Sequence, residues 1–508
     1  MKDPYKFIEH IQQGYAPKGD FIYMGAAMLD GKPIPEAQVK IPLKTMNRHG
    51  LIAGATGTGK TKTLQIIAEI LSEKGVPVLM MDIKGDLSGI AKPSPGHEKI
   101  DARHQLLNFE FTPQASPVEI LSLSDQAGVR LKATVSEFGP ILLSRILDLT
   151  DTQTGILAIV FKYCDDNQLP LLDLKDLKKI IHYATDEGRE EFEKDYGRMS
   201  KSSTGSILRK IVALEQQDAD LFFGEPSFEV EDLMRTNIDG RGMVNIIRLD
   251  DIQDKPKLFS TFMLSLLAEI YSTLPEKGDS DRPELILFID EAHLIFKEAS
   301  DALLDQIESI IKLIRSKGVG IYFVTQNPTD VPKEILSQLG LKIQHSLRAF
   351  TANDRKAIKL TAENYPISEY YDTKEVLTSL GIGEAFISAL DEKGRPSPLA
   401  ATMMRAPMSR MDVLTSAELK DLIGSSKLVS KYNKEIDRES AYELLNKKIA
   451  QADQEEAREK AKEDREKVSR TSSRTTRNSN KTQSAVIKVL TSATFIRGVM
   501  SILNKAFK

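Results

Sequence analysis

Residues 54–61 read GATGTGKT, and no other stretch of the chain narrows the choice of fold as far. The string satisfies GxxxxGK[ST], a Gly-rich turn between a strand and a helix. Gly57 and Gly59 let the backbone curl so that successive N–H groups converge on anionic oxygens. A helix starting at the end of the turn adds the positive end of its dipole. Lys60 then reaches the β- and γ-phosphates of a nucleoside triphosphate, and Thr61 offers a hydroxyl to magnesium. The flanks agree. Leu51–Ala53 is a short apolar strand, and Thr61–Lys74 carries Leu64, Ile67, Ala68 and Leu71 at helical spacing. Gly54, Ala55, Thr56, Gly57, Thr58, Gly59, Lys60, Thr61 and Lys62 are therefore expected to hold ATP, with Mg2+ as the companion ion.

A second anchor follows far downstream. Residues 285–293 read LILFIDEAH, an apolar strand ending in two acids. Beside a phosphate loop this is the Walker B arrangement: Asp290 holds the metal through its water shell, and Glu291 polarises the attacking water. Alone, the same pair could be the acidic first turn of a helix. His293 reads as a local contact residue. Residues 320–326, GIYFVTQ, put Gln326 at a strand end, where it could sense the γ-phosphate or serve as a simple capping amide. Arg315 and Arg348 are candidates for an arginine finger acting across a subunit boundary, the alternative for each being a surface ion pair. Asp82 ends the apolar run Val76–Met81 and is expected on the nucleotide side, because ligands sit at the carboxyl ends of parallel strands. Lys84 and Asp86 are weaker candidates for the same face, the alternative being that they only make a turn.

Strands alternating with helices around the loop argue for an α/β fold with a mostly parallel, twisted sheet and helices on both faces. Residues 1–45 are a short N-terminal segment, an initial helical turn and then strands or loops. Residues 46–117 form the first part of the core, 118–240 a mainly helical insertion, and 241–410 the second part. In that second part Met243–Leu249, Leu285–Asp290, Gly320–Thr325, Ile343–Phe350 and Ala385–Leu390 read as strands. Residues 411–468 are a charged helical region and 469–483 a flexible basic linker. Residues 484–508 place Val486, Leu490, Ala493, Ile496, Met500, Leu503 and Phe507 on one face of an amphipathic helix.

Several of these strings resemble a known group. NRHGLIAGATGTGKTKTLQ, GPILLSRILDL, LFFGEPSFEVEDLMRT, FIDEAHLIF and LIRSKGVGIYFVTQNPTDVP are similar to the YjgR-type, HerA-like bacterial ATPases of the HerA/FtsK superfamily. The similarity runs from about Pro42 to about Arg410. It implies a RecA-like P-loop NTPase core, a homohexameric ring and nucleotide sites between subunits. It also implies Lys60 and Thr61 for ATP and magnesium, Asp290 and Glu291 for metal and water, Gln326 as sensor and a finger near Arg315. Two departures stand out. HerA proper has a β-barrel domain ahead of its P-loop, whereas only the 1–45 segment stands there in this chain, so contacts made by that barrel are not carried over. Where the group has an Asn-Arg pair, residues 341–342 are Leu-Lys, and lysine cannot make arginine's bidentate contact.

Charge bears on what such an ATPase works on. The net charge is −4, yet the chain past Glu466 carries nine basic and no acidic residues, leaving a body of about −13. An acidic body disfavours a general phosphate-binding surface, although a ring needs only a few basic pore loops, for which Lys201, Arg209 and Lys210 are candidates. The superfamily implies translocation or processing of double-stranded DNA. The alternative is a protein-remodelling or membrane-associated ATPase that does not move DNA. The basic C-terminal helix could bind its own ring, nucleic acid or an anionic membrane. A single cysteine, Cys164, excludes an internal disulfide and a Cys-rich zinc site. The N-terminus lacks an apolar leader, and no apolar run approaches the roughly 18 residues that span a bilayer, so the expected compartment is the cytoplasm.

Overall fold

The computed structural model describes residues 3–278, 280–296, 301–349, 351–436 and 438–472. The amphipathic segment expected over 484–508 and most of the expected linker lie outside them. Twelve strands, in chain order, build one sheet: β1 (Phe21–Leu29), β2 (Lys32–Pro42), β3 (Gly50–Ala53), β4 (Val78–Asp82), β5 (Val118–Ser122), β6 (Val129–Arg130), β7 (Val244–Arg248), β8 (Leu285–Ile289), β9 (Val319–Thr325), β10 (Leu341–His345), β11 (Glu384–Ser388) and β12 (Ala400–Met404). Their spatial order is β2-β1-β12-β11-β10-β3-β9-β8-β4-β7-β5-β6.

The sheet has two halves of different character. From β10 to β6 every pairing is parallel. β3, β4, β8 and β9 are buried at every residue, as strands covered on both faces must be, which is why they read as unbroken apolar runs. From β10 through β11, β12 and β1 to β2 the pairing turns antiparallel. β1 is seated against β12 with Gly25 opposite Met404. A Cβ at Gly25 would stand 1.9 Å from the Met403 carbonyl, so this position admits glycine alone. Residues 3–45 are thus built into the sheet and its core. Helix α1 (Pro4–Gly14) packs Phe7 and Ile11 into the sheet's main hydrophobic cluster, and the Tyr15 hydroxyl donates to the carbonyls of Ile387 and Pro398 at 3.0 and 2.7 Å.

Helix α2 (Lys60–Glu73) follows the phosphate loop and is buried almost throughout. Helix α3 (Glu98–Leu106) comes after β4. Between β6 and β7 stand α4 (Val135–Ile146), α5 (Asp151–Asp166), α6 (Leu174–Thr185), α7 (Arg189–Tyr196) and α8 (Lys201–Glu215). Capping boxes fix three of their starts, pairing Thr134 with Glu137, Thr150 with Gln153 and Asp173 with Asp176. α4 kinks at Gly139 (φ 66°), just before Pro140, whose ring removes a helical N–H. Helix α9 (Pro256–Thr273) returns the chain to the sheet.

The structure corrects several expectations. Residues 118–122 and 129–130 are strands of the sheet, so the helical run begins only at α4. β10 ends at His345 instead of running on to residue 350, which puts Arg348 in an exposed loop and not on a strand. β12 and α3 were not expected. The charged region holds three helices, Ser416–Gly424, Lys427–Tyr432 and Ala441–Ser472, and the last takes in Ser469–Ser472, the first residues of the expected linker. The chain divides after Leu444 into two compact units, the first of which contains the whole sheet. None of the helices among the described residues is long and apolar enough to cross a membrane.

Candidate nucleotide site

All eight parallel strands present their carboxyl ends on one side, and the phosphate loop leaves β3 on that side. Gly54, Gly57 and Gly59 have φ of 154°, 78° and 114°, the left-handed region that only glycine enters freely. Thr56 and Gly57 crown the loop in solvent, while the Thr58 hydroxyl donates to the Ala55 carbonyl at 2.7 Å and tightens the curl. Lys60 is buried, and its Nζ donates to the Gly54 carbonyl at 2.7 Å and the Ala55 carbonyl at 3.2 Å, so the ammonium stands inside the curl. Burial lowers its pKa, the nearby Lys84 charge lowers it further, and Glu291 and Asp290 pull the other way.

β8 lies two strands from β3, across β9, which sets the acid pair about 10 Å laterally from the loop. Asp290 and Glu291 are both buried. Burial pushes the Asp290 carboxyl up to about 6; Lys84 opposes that rise, while Glu291 and Asp86 add to it. Glu291 has φ 45°, unusual for a residue with a Cβ, and stores local strain at the point where the strand turns. Its Oε1 is ion-paired with Lys84 Nζ. Its Oε2 lies 3.3 Å from His293 Nδ1 and receives no hydrogen bond.

The two weaker candidates from the sequence, Lys84 and Asp86, belong to this cluster. Lys84 contacts Glu291 directly, and Asp86 accepts from the Thr61 hydroxyl at 3.4 Å while its Oδ1 is buried without a hydrogen bond. Asp82 sits at the carboxyl end of β4, but its oxygens are spent on the turn, accepting from the amides of Asp86 and Leu87 at 3.1 Å each. Burial raises its pKa to about 7. Lys62 points away from the loop curl and donates to the Met411 carbonyl at 2.6 Å.

Below the loop sits a residue that sequence reasoning passed over. His345, at the end of β10, is fully buried, with Nε2 2.9 Å from the Thr63 hydroxyl and Nδ1 3.0 Å from the Glu384 carbonyl. Nδ1 carries the proton, since only a donor can meet that carbonyl, and Nε2 accepts from Thr63. Thr58 offers its carbonyl to the Gly383 amide at 3.0 Å, and Arg103 braces the same segment through the carbonyls of Ile382, Gly383 and Met404. On the far side of α2, buried Glu69 accepts from the amides of Met408 and Ser409 at 2.8 and 2.9 Å and from the Ser409 hydroxyl. The chain that follows β12 is thereby strapped to the helix that carries Lys60.

The remaining candidates divide. Gln326 is exposed, one residue past the end of β9, on the same side as the loop. Arg348 is exposed on that side too, three residues past β10. Arg315 stands in a short turn just ahead of β9, at the opposite end of the strand, roughly 23 Å from the nucleotide side of its own chain. Lys201 pairs with Asp186 at 3.7 Å and Lys210 donates to the Asp148 carbonyl, so both have partners on the helical region.

The site tolerates a hard cation on its own chemistry. It offers the Thr61 hydroxyl, the Asp290 carboxyl with a raised pKa, and two buried carboxylate oxygens without hydrogen bonds. Among the described residues no group of three or more His, Cys, Asp or Glu side chains could cage a metal.

With this geometry in hand, comparison with known proteins is decisive at the level of family. A model of the helicase HerA-like C-terminal family matches residues 28–507. The chain belongs to that family. Among curated members of the HerA group, the DNA double-strand break repair helicase HerA of Sulfolobus acidocaldarius is 22% identical over 356 residues, covering 69% of this chain and 64% of the relative. The Saccharolobus solfataricus HerA is 25% identical over 361 residues, covering 69% and 63%. This HerA-like chain therefore spans under two thirds of the length of those relatives. Among solved structures, the bacterial conjugative coupling protein TrwB aligns with a TM-score of 0.50 at 14% identity, covering 80% of this chain and 94% of TrwB. TrwB bound to the GTP analogue GDPNP gives the same score at 15% identity, covering 78% and 99%. The likeness to TrwB is one of fold, and it fixes the HerA-like chain as a mixed α/β P-loop ATPase fold.

Proposed function

We propose that the chain is a Mg2+-dependent ATPase working as a subunit of a homohexameric ring, coupled to translocation or processing of double-stranded DNA. The observation that carries the ATPase reading is the placing of the Lys60 ammonium inside the phosphate-loop curl, within electrostatic reach of Lys84, Asp290 and Glu291, with Lys84 ion-paired to Glu291. The loop amides and Lys60 bind and orient the triphosphate. Thr61, with Asp290 acting through water, would hold magnesium, which would supply neutralisation of phosphate charge when bound. Glu291 orients the attacking water and draws on its proton, and Gln326 faces the same side to position that water. Arg315 lies too far from its own loop to serve it, which favours action on a neighbouring subunit's nucleotide.

Support for DNA as the track is the naming of the relatives, which include DNA repair helicases and the DNA import protein CedB of Sulfolobus acidocaldarius, 24% identical over 393 residues. The test is phosphate release from ATP by the full chain with and without double-stranded DNA, over a salt series, on a sample of known mass. Stimulation that falls steeply with salt is the expected result. Turnover without any response to DNA would remove the translocation reading and leave the ATPase, and a hexamer-sized particle is expected in the same sample.

A further inference from the structure

Lys84 has a pinned base and a half-exposed head. The turn that carries it is pinned by the Asp82 carboxylate on the amides of Asp86 and Leu87, and by the Gln253 side chain donating to the Ile83 carbonyl at 2.6 Å. From that base a four-carbon stem reaches Glu291. The two side chains differ in surroundings: Lys84 is 38% exposed, whereas Glu291 is 7% exposed. An ammonium with one open flank can swing at little steric cost, whereas the carboxylate it holds cannot follow it into solvent.

The electrostatics give the swing a destination. Burial works against the Lys84 charge, yet Glu291, Asp290 and Asp86 outweigh it and hold its pKa above the usual range. Burial lowers the Lys60 pKa, and the same Lys84 charge lowers it further. Lys60 and Lys84 are close enough to feel each other, and the Glu291 and Asp290 carboxylates act on both. A γ-phosphate brings further negative charge into that space. Lys84 is a compact point charge and cannot keep its full contact with Glu291 while meeting the phosphate. Glu291 is also the residue held at φ 45°, so ion pair and backbone strain fall on one side chain, and the other carboxylate oxygen has no hydrogen bond.

We propose that Lys84 is a positioning residue that passes between Glu291 and the γ-phosphate, so that Glu291 is freed to orient water only when a triphosphate, not a diphosphate, occupies the loop. The proposal rests on the ATPase reading above and adds a triphosphate-sensing step to it. Such a device acts only through a difference in affinity between its two positions, and that difference is measurable.

The experiment compares equilibrium binding of Mg-ADP and of a non-hydrolysable Mg-ATP analogue to the full chain, in a cycle of Lys84→Met, Glu291→Gln and the double variant. Lys84→Met keeps the stem, and Lys84→Arg keeps the charge. Lys84→Met is expected to weaken the ATP analogue about tenfold while leaving ADP unchanged, and Lys84→Arg to restore part of the difference. Glu291→Gln is expected to tighten the ATP analogue, because Lys84 no longer has a competing carboxylate, and most of that gain is expected to vanish in the double variant. Equal losses for both nucleotides, or strictly additive effects of the two substitutions, would overturn the proposal by making Lys84 a structural or merely electrostatic neighbour. Failure of the unaltered chain to bind either nucleotide would remove the ATPase reading itself, a result visible before any variant is compared.

Discussion

Thr63 Oγ1 donates to His345 Nε2 across 2.9 Å, tying the first turn of the Lys60 helix to the end of β10. The bond needs a neutral imidazole, and burial lowers the His345 pKa to about 4. The unfolded chain takes up that proton near pH 6.5, the folded chain only near 4. The native state's advantage from this residue is therefore whole above pH 6.5 and declines as pH falls toward 4. The difference amounts to about 3 kcal/mol. His345→Gln, which cannot titrate, is expected to lose less thermal stability than the unaltered chain between pH 8 and pH 5. An identical pH response in both proteins would show that His345 does not carry this linkage.

Gly54 and Gly57 separate two reasons for glycine. A Cβ at Gly54 would meet His345 Cβ at 2.5 Å, whereas one at Gly57 would meet nothing within 4 Å. Gly57→Ala is expected to cost about 1 kcal/mol from its φ alone. Gly54→Ala adds a collision with the Cβ and backbone of buried His345 and is expected to cost several kilocalories and most of the nucleotide affinity. Melting curves and nucleotide titrations on the two variants should rank them in that order.

Lys60→Ala is expected to abolish ATP binding, since its ammonium is the one cation inside the curl among the described residues. Glu291→Gln is expected to bind ATP and to turn it over at least about a hundredfold more slowly, the usual scale for losing a group that handles a proton. Normal turnover by the Gln variant would strip Glu291 of its assigned part.

Arg315 stands at the wrong end of β9 for its own site. Arg315→Ala and Glu291→Gln are each expected to be inactive alone. Mixed in one ring, they should recover some activity, because a subunit with an intact glutamate can then meet a neighbour with an intact arginine. Mixed assemblies of verified composition that stay inactive would count against action in trans.

How much was legible follows from distance along the chain. The loop, β3 and α2 form one local unit, so GATGTGKT and its flanks place them directly. β8 announces itself by five apolar residues followed by two acids. Lys84 could not be read as a partner of Glu291, because that contact depends on β4 lying beside β8, a pairing across more than 200 residues that no local pattern encodes. His345 has no signal beyond a polar residue ending an apolar run. β5, VEILS, fell into a helical reading because a five-residue apolar run fits either element. β1 stayed open between strand and loop, because Gly25 looks like a loop residue until the close approach of Met403 shows why it stands in a strand.

The pairing of β1 with β12 also sets a schedule for biosynthesis. A strand made within the first 29 residues has no neighbour on that flank until residue 404 has left the ribosome. The parallel half of the sheet can close on its own contacts, but the antiparallel half must wait with its apolar faces uncovered. Nascent chains halted before β12 are therefore the species in which α1, β1 and β2 are most open to chaperones and to misplaced strand pairing.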